Sequence, residues 1–129
     1  MAKAAVSLSG RDILDLSSLS VEEYALIMKT AAEMKKILKR DIKKVPSLRG
    51  KSIVNLFYEN STRTRSSFEL AGKYLGADVI NISTGTSSVK KGECLKDTVL
   101  TMQSMACDAI VMRHHIEVAA KSMADNLSP

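Results

Sequence analysis

Nine consecutive residues carry the densest chemistry in this sequence: Phe57-Tyr58-Glu59-Asn60-Ser61-Thr62-Arg63-Thr64-Arg65. An apolar run, Ser52-Ile53-Val54-Asn55-Leu56-Phe57-Tyr58, stops at a polar corner in which hydroxyls alternate with two arginines. A helical pattern with Phe68, Ala71 and Leu75 follows. A strand entering a helix through such a corner is suited to holding a phosphate. The free N–H groups of the first turn, the positive end of the helix dipole, three hydroxyls and a guanidinium all converge there. The plainer reading is that Ser61 or Thr62 caps the helix while the arginines pair with surface acids. Capping alone does not call for two arginines beside three hydroxyls, so the anion site is the favoured expectation.

Two further segments could bring charge to the same anion. Ser83-Thr84-Gly85-Thr86-Ser87-Ser88-Val89-Lys90-Lys91-Gly92 is polar, Gly-punctuated and basic. It reads either as an ordinary exposed loop or as one that closes over a phosphorylated substrate. It is not a Walker A loop, because the required order fails at Gly92-Glu93. Arg113 directly follows the apolar run Ala109-Ile110-Val111-Met112 and belongs at a strand's carboxyl end. There it either reaches the anion or pairs with Glu117 or a helix end. His114 and His115 do not suggest a metal centre: adjacent side chains are expected to diverge, and no carboxylate or cysteine stands at ligand spacing. Glu59 is better placed to orient an arginine than to act as a base. No Ser/His/Asp or Cys/His nucleophile arrangement is present.

The elements that must position these groups are legible from periodicity. Ser20-Val21-Glu22-Glu23 has the capping-box form. Tyr24, Ile27, Met28, Ala31, Met34 and Leu38 then recur at helical spacing, which predicts a helix over about 20–40. Ile13, Leu14 and Leu16 of the lead-in are expected to dock on the domain. Strands are predicted at 52–58, 77–82 and 108–113, and helices at about 62–75, 93–106 and 116–127. Gly76 should end the second helix, and Leu95, Val99, Met102 and Met105 or Ala106 should face inward from the third. Alternation of strands and helices with short connections implies right-handed crossovers. The expected fold class is α/β, a parallel sheet covered by helices on both faces, three-layer and doubly wound. Ligands of such sheets bind beyond the carboxyl ends of the strands, where all three candidate segments fall.

Bulk properties narrow the class. At 129 residues the chain fits one domain, 1–129. Lys and Arg outnumber Asp and Glu by 19 to 14, a net charge of +5. The lysines are spread along helical faces without an aromatic-interleaved stripe, so nucleic acid is not the expected partner. Cys94 and Cys107 stand outside any C-x-x-C pattern and read as reduced. No apolar run reaches membrane-spanning length, and the N-terminus is too polar for a signal peptide. The expectation is a cytoplasmic protein with no membrane partner.

The motifs carry a resemblance. Phe57 to Glu69 resembles the Ser-Thr-Arg-Thr-Arg signature of the carbamoyltransferases. Leu75-Gly76-Ala77, then Ser87-Ser88-Val89-Lys90-Lys91-Gly92-Glu93 with Asp97-Thr98, and then Asp108-Ala109-Ile110-Val111-Met112-Arg113-His114 are similar to the aspartate branch in the same order. The ornithine branch shares the first motif but usually lacks the Lys-Lys-Gly-Glu loop and the Met-Arg-His ending, and it stands as the alternative enzyme. The resemblance implies that Ser61, Thr62, Arg63 and Thr64 hold the phosphate of carbamoyl phosphate, with Thr64 and Arg113 also reaching its carbonyl oxygen. It implies that Ser87 and Lys91 come from a neighbouring subunit of a homotrimer, and that Arg65 is structural. The reaction implied is attack of the L-aspartate amine on the carbamoyl carbon with phosphate leaving, giving N-carbamoyl-aspartate for pyrimidine biosynthesis. Arg63, Thr64, Lys91 and Arg113 would be the catalytic groups, without cofactor or metal.

Two departures bear on that expectation. His115 stands where the family normally has proline. The family's following His-Pro-Thr-Gln segment and its aspartate-binding domain are absent from these 129 residues. The sequence therefore reads as a C-terminally truncated carbamoyl phosphate domain, inactive or nearly so alone. The rival reading is a non-catalytic module that binds anions or associates with complete subunits.

Overall fold

The computed structural model describes residues 5–83 and 94–127. The chain divides into two compact units, Met1–Lys43 and Lys44–Pro129. The first unit holds one helix, α1 (Val21–Ile37). Its capping box is formed as expected: Glu23 N–H donates to Ser20 Oγ at 3.2 Å, and Ser20 N–H donates to Glu23 Oε2 at 2.8 Å. The Glu23 carboxylate also takes an ion pair from Arg11, whose other nitrogen donates to Ser18 O at 2.6 Å. The Ser20 amide first, and Arg11 second, hold Glu23 below the usual carboxylate range. Within this unit the apolar side chains are not covered. Ile13, Leu14 and Leu16 are exposed, and α1 buries none of its residues. A single helix with a short lead-in offers no second surface within its own unit on which an apolar stripe could be covered.

The second unit contains the sheet. Its elements are β1 (Ser52–Phe57), α2 (Thr62–Tyr74), β2 (Asp78–Ser83), α3 (Leu95–Ser104), β3 (Ala109–Arg113) and α4 (Ala119–Asn126). The three strands are parallel in the order β2-β1-β3, so the chain winds outward in both directions from β1. Val54 and Leu56 pack on one face with Val99, Met102 and Met123 from α3 and α4, and Tyr58, Ile82, Ile110 and Met112 extend that cluster. The alternate residues of β1 face α2 on the other side. The unit is thus helix, sheet, helix, the α/β arrangement the periodicity predicted. No helix among the described residues is long and apolar enough to cross a membrane.

Two helices present faces that differ from expectation. In α2 the buried position is Gly72, whereas Phe68 is 45% exposed and Ala71 is also exposed. A Cβ at Gly72 would lie 2.6 Å from Val79 Cγ2 and 3.4 Å from Ile53 Cδ1, so the helix sits on the sheet at a distance only glycine permits. In α3, Val99 and Met102 are buried as expected but Met105 is 66% exposed. The helix has already ended: Ala106 takes φ 57°. Its N–H donates to Gln103 O at 2.9 Å, and Cys107 N–H donates to Met102 O at 3.3 Å. This is a Schellman ending with alanine where glycine is usual. α4 begins three residues later than predicted because residues 116–118 form a turn, Ala119 N–H donating to Ile116 O at 3.2 Å.

Candidate anion site at the carboxyl edge of the sheet

Register places the ends of the three strands at one edge. Phe57, the last residue of β1, is the partner of both Ser83 and Arg113, the last residues of β2 and β3. The corner after β1 and the turn after β3 therefore leave the sheet at one level, the level at which β2 ends. Ser87 and Lys91 lie outside the described residues.

The corner itself departs from simple capping. Ser61 is the N-cap of α2 but makes no side-chain cap hydrogen bond. Its hydroxyl donates instead to Thr64 Oγ1 at 2.9 Å, while its carbonyl accepts Arg65 N–H at 3.0 Å. The N–H groups of Thr62, Arg63 and Thr64 therefore have no acceptor within the helix. The first turn contains no acidic residue, although acids usually stabilise this end of a helix. Arg63 enters no salt bridge among the described residues. Among the described residues, three amides without an acceptor in the helix, a paired set of hydroxyls and a guanidinium outside any salt bridge form a local excess of donors and positive charge that an oxyanion complements.

Arg113 reaches the edge on a rigid support. Tyr58 N–H donates to Arg113 O at 2.8 Å, and Arg113 Nε donates to Glu59 Oε2 at 3.2 Å. Glu59 thus orients an arginine, as the sequence suggested, and it is Glu59 rather than Glu117 that pairs with Arg113. His114 and His115 depart from the expected divergence: their rings stack, with centroids 4.5 Å apart and planes 18° from parallel. The Tyr58 ring lies 4.6 Å from the His114 ring on its other contact. Among the described residues no cluster of His, Cys, Asp and Glu has the makings of a metal site.

Behind the corner runs a polar chain that sequence reasoning missed. Asn55 is fully buried on the central strand, and its Nδ2 donates to Asn81 Oδ1 at 2.9 Å. Asn81 Nδ2 donates to Glu69 Oε2 at 2.7 Å, and Lys73 Nζ donates to Glu69 Oε1 at 2.6 Å. Lys73 and then Asn81 hold the Glu69 carboxyl below its usual range. The relay ties α2 to the two strands beneath it. Its signal was available, since Asn55 and Asn81 interrupt two apolar strands at partnered positions. Far from the corner, an open hollow is lined by Lys44, Val45, Pro46, Arg49 and Gly76 at the C-terminal end of α2, where the helix dipole disfavours an anion.

Residues 11–128 match the carbamoyl-P binding domain of aspartate/ornithine carbamoyltransferase. The chain belongs to this family. It is 61% identical over 107 residues to the aspartate carbamoyltransferase catalytic subunit of Moorella thermoacetica, covering 83% of this chain and 35% of that protein. With the corresponding subunit of Syntrophomonas wolfei it shares 55% over 121 residues, 94% of this chain and 39% of the relative. Among solved structures it is similar to Trypanosoma cruzi aspartate transcarbamoylase in complex with carbamoyl phosphate and aspartate. The TM-score is 0.81 at 33% identity, over 92% of this chain and 36% of that one. Ornithine carbamoyltransferase from Pyrococcus furiosus is similar in fold, with TM-score 0.80 and 34% identity over 95% of this chain and 38% of that one. The chain spans well under half the length of these relatives.

Proposed function

We propose that this chain is the carbamoyl phosphate-binding part of a cytoplasmic aspartate carbamoyltransferase. The observation that carries the reading is that Arg113 and the uncapped, acid-free first turn of α2 stand at partnered strand ends on one edge of the sheet. Ser61, Thr62, Arg63 and Thr64 hold the phosphate through hydroxyls, backbone amides and guanidinium. Thr64 and Arg113 polarise the carbamoyl oxygen. Ser87 and Lys91 complete the site from the neighbouring subunit of a homotrimer. When the aspartate amine attacks the carbamoyl carbon, negative charge grows on the carbonyl oxygen and on the departing phosphate. Fixed cations and amides stabilise both without having to reorganise. Aspartate is favoured over ornithine by the Lys90-Lys91-Gly92-Glu93 and Met112-Arg113-His114 segments, and by the sequence relatives described above.

Titration of the purified chain with carbamoyl phosphate, followed by calorimetry, tests the reading. Binding should occur and should weaken by about ten- to a hundredfold in Arg63→Ala, the scale of a lost charge-assisted hydrogen bond. The 129 residues alone should form no carbamoyl-aspartate, because they match the carbamoyl-P binding domain and span well under half the length of their relatives. Equal affinity in wild type and Arg63→Ala would overturn the assignment of the corner.

A further inference from the structure

We propose that His114 is a positioning residue for this anion site: as a neutral imidazole it holds the turn leaving β3, keeping Arg113 at the sheet edge, and its protonation loosens that hold. The inference rests on reading the corner as an oxyanion site.

The chain must turn from β3 towards α4 immediately after Arg113. The backbone of Arg113 is tied on one side by Tyr58, whose N–H donates to Arg113 O at 2.8 Å. On the other side the turn is closed by a side chain, with Ile116 N–H donating to His114 Nδ1 at 2.9 Å. A backbone N–H can donate only to an unprotonated ring nitrogen. The proton of His114 therefore sits on Nε2, and the ring is neutral. Tyr58 packs 4.6 Å from one part of this ring and His115 stacks 4.5 Å away, so the imidazole links the end of β1 to the turn.

Protonation would convert the acceptor at Nδ1 into a donor facing the Ile116 donor. It would also set a cation against His115 and beside Arg113. Among the described residues, the titratable and charged groups that touch the ring or adjoin it in the chain are Tyr58 from the end of β1, Arg113 from β3 and His115 from the turn. Glu59 is already engaged by Arg113. Burial, and then the charge of His115, push the His114 pKa down from its ordinary value. A cation near the site would by itself attract an anion, and salt screens that attraction. At moderate ionic strength the loss of the turn is the effect that remains.

The test uses the isotopically labelled chain and sulfate, which stays dianionic from about pH 5 to 8. Long-range proton–nitrogen NMR of the imidazoles should show His114 as the Nε2–H form, titrating below about 6.5. The Arg113 amide signal should shift along the same curve. Sulfate affinity should fall about three- to tenfold through that titration, the scale of one lost hydrogen bond. His114→Asn keeps an acceptor near the position of Nδ1 but does not titrate. It should bind sulfate within about twofold of wild type at high pH and show no acid limb. His114→Ala should bind about three- to tenfold more weakly throughout. An Nδ1–H form, or an acid limb surviving in His114→Asn, would overturn the proposal even if His114→Ala fails to fold. Absence of sulfate binding by a chain with the expected tautomer would sink the anion-site reading itself, and the role in binding with it.

Discussion

Arg113 Nε and Glu59 Oε2 lie 3.2 Å apart across the carboxyl ends of β3 and β1, so a carboxylate is paired with one of the cations of the proposed anion site. Both side chains are substantially exposed, 42% and 49%. The pair is therefore worth little to stability, about 0–1 kcal/mol. On the proposed reading its consequence lies in ligand binding, because Glu59 would both aim Arg113 and repel an incoming oxyanion.

Glu59→Gln keeps an oxygen acceptor for Nε and removes the charge. Affinity for inorganic phosphate should rise by about two- to fivefold at low salt, and the gain should shrink as salt is added. Phosphorus NMR titrations at two ionic strengths measure it. Weaker binding at low salt would mean that Glu59 acts through aim and not through charge.

Gly72 tests how α2 is seated. In most helices Gly→Ala is favourable by about 1 kcal/mol. Here the new Cβ would meet Val79 Cγ2 at 2.6 Å, and a β-branched side chain has little rotamer freedom with which to retreat. Gly72→Ala should destabilise the chain by about 1–3 kcal/mol in denaturant unfolding. Val79→Ala in the same chain should recover part of that loss. Two mutations whose costs simply add would show that the close approach is not what the glycine serves.

The extent to which the site could be read from sequence follows from these contacts. Strand and helix order was legible because β1 and β3 are near-continuous apolar runs and Gly76 ends α2 at φ 85°. That Ser61–Thr64 and Arg113 follow strand ends on the same edge of the sheet was legible from strand polarity alone. The buried face of α2 was not legible. Period-based reading follows apolar residues such as Phe68, whereas close approach is set by the absence of a side chain at Gly72. The partner of Arg113 was left open between Glu117 and a helix end, and strand register brought Glu59 to it across 54 positions. The His114–His115 stack was hidden for a related reason: alternation holds within strands, and these residues have already left β3.

Asp108 joins the amino ends of the same strands and makes a prediction about acid stability. Its carboxylate accepts Lys51 Nζ at 2.9 Å and Ser52 N–H at 2.9 Å. Lys51 first, and the Ser52 amide second, lower its pKa in the fold. A depressed carboxyl pKa contributes stability that is complete above the unfolded value, about 3.9, and is lost as pH falls through the folded value. Wild type should therefore lose unfolding midpoint from roughly pH 5 downwards, whereas the histidine contribution of His114 begins to be lost nearer 6.5. Asp108→Asn should leave the upper part of that decline unchanged and flatten the lower part. It should not abolish it, since Asp15, Glu23 and Glu69 are also held below their ordinary values. Urea midpoints collected across about pH 3–8 separate the two limbs. An unchanged slope below about pH 5 in Asp108→Asn would show that the clasp between β1 and β3 does not depend on the carboxylate charge.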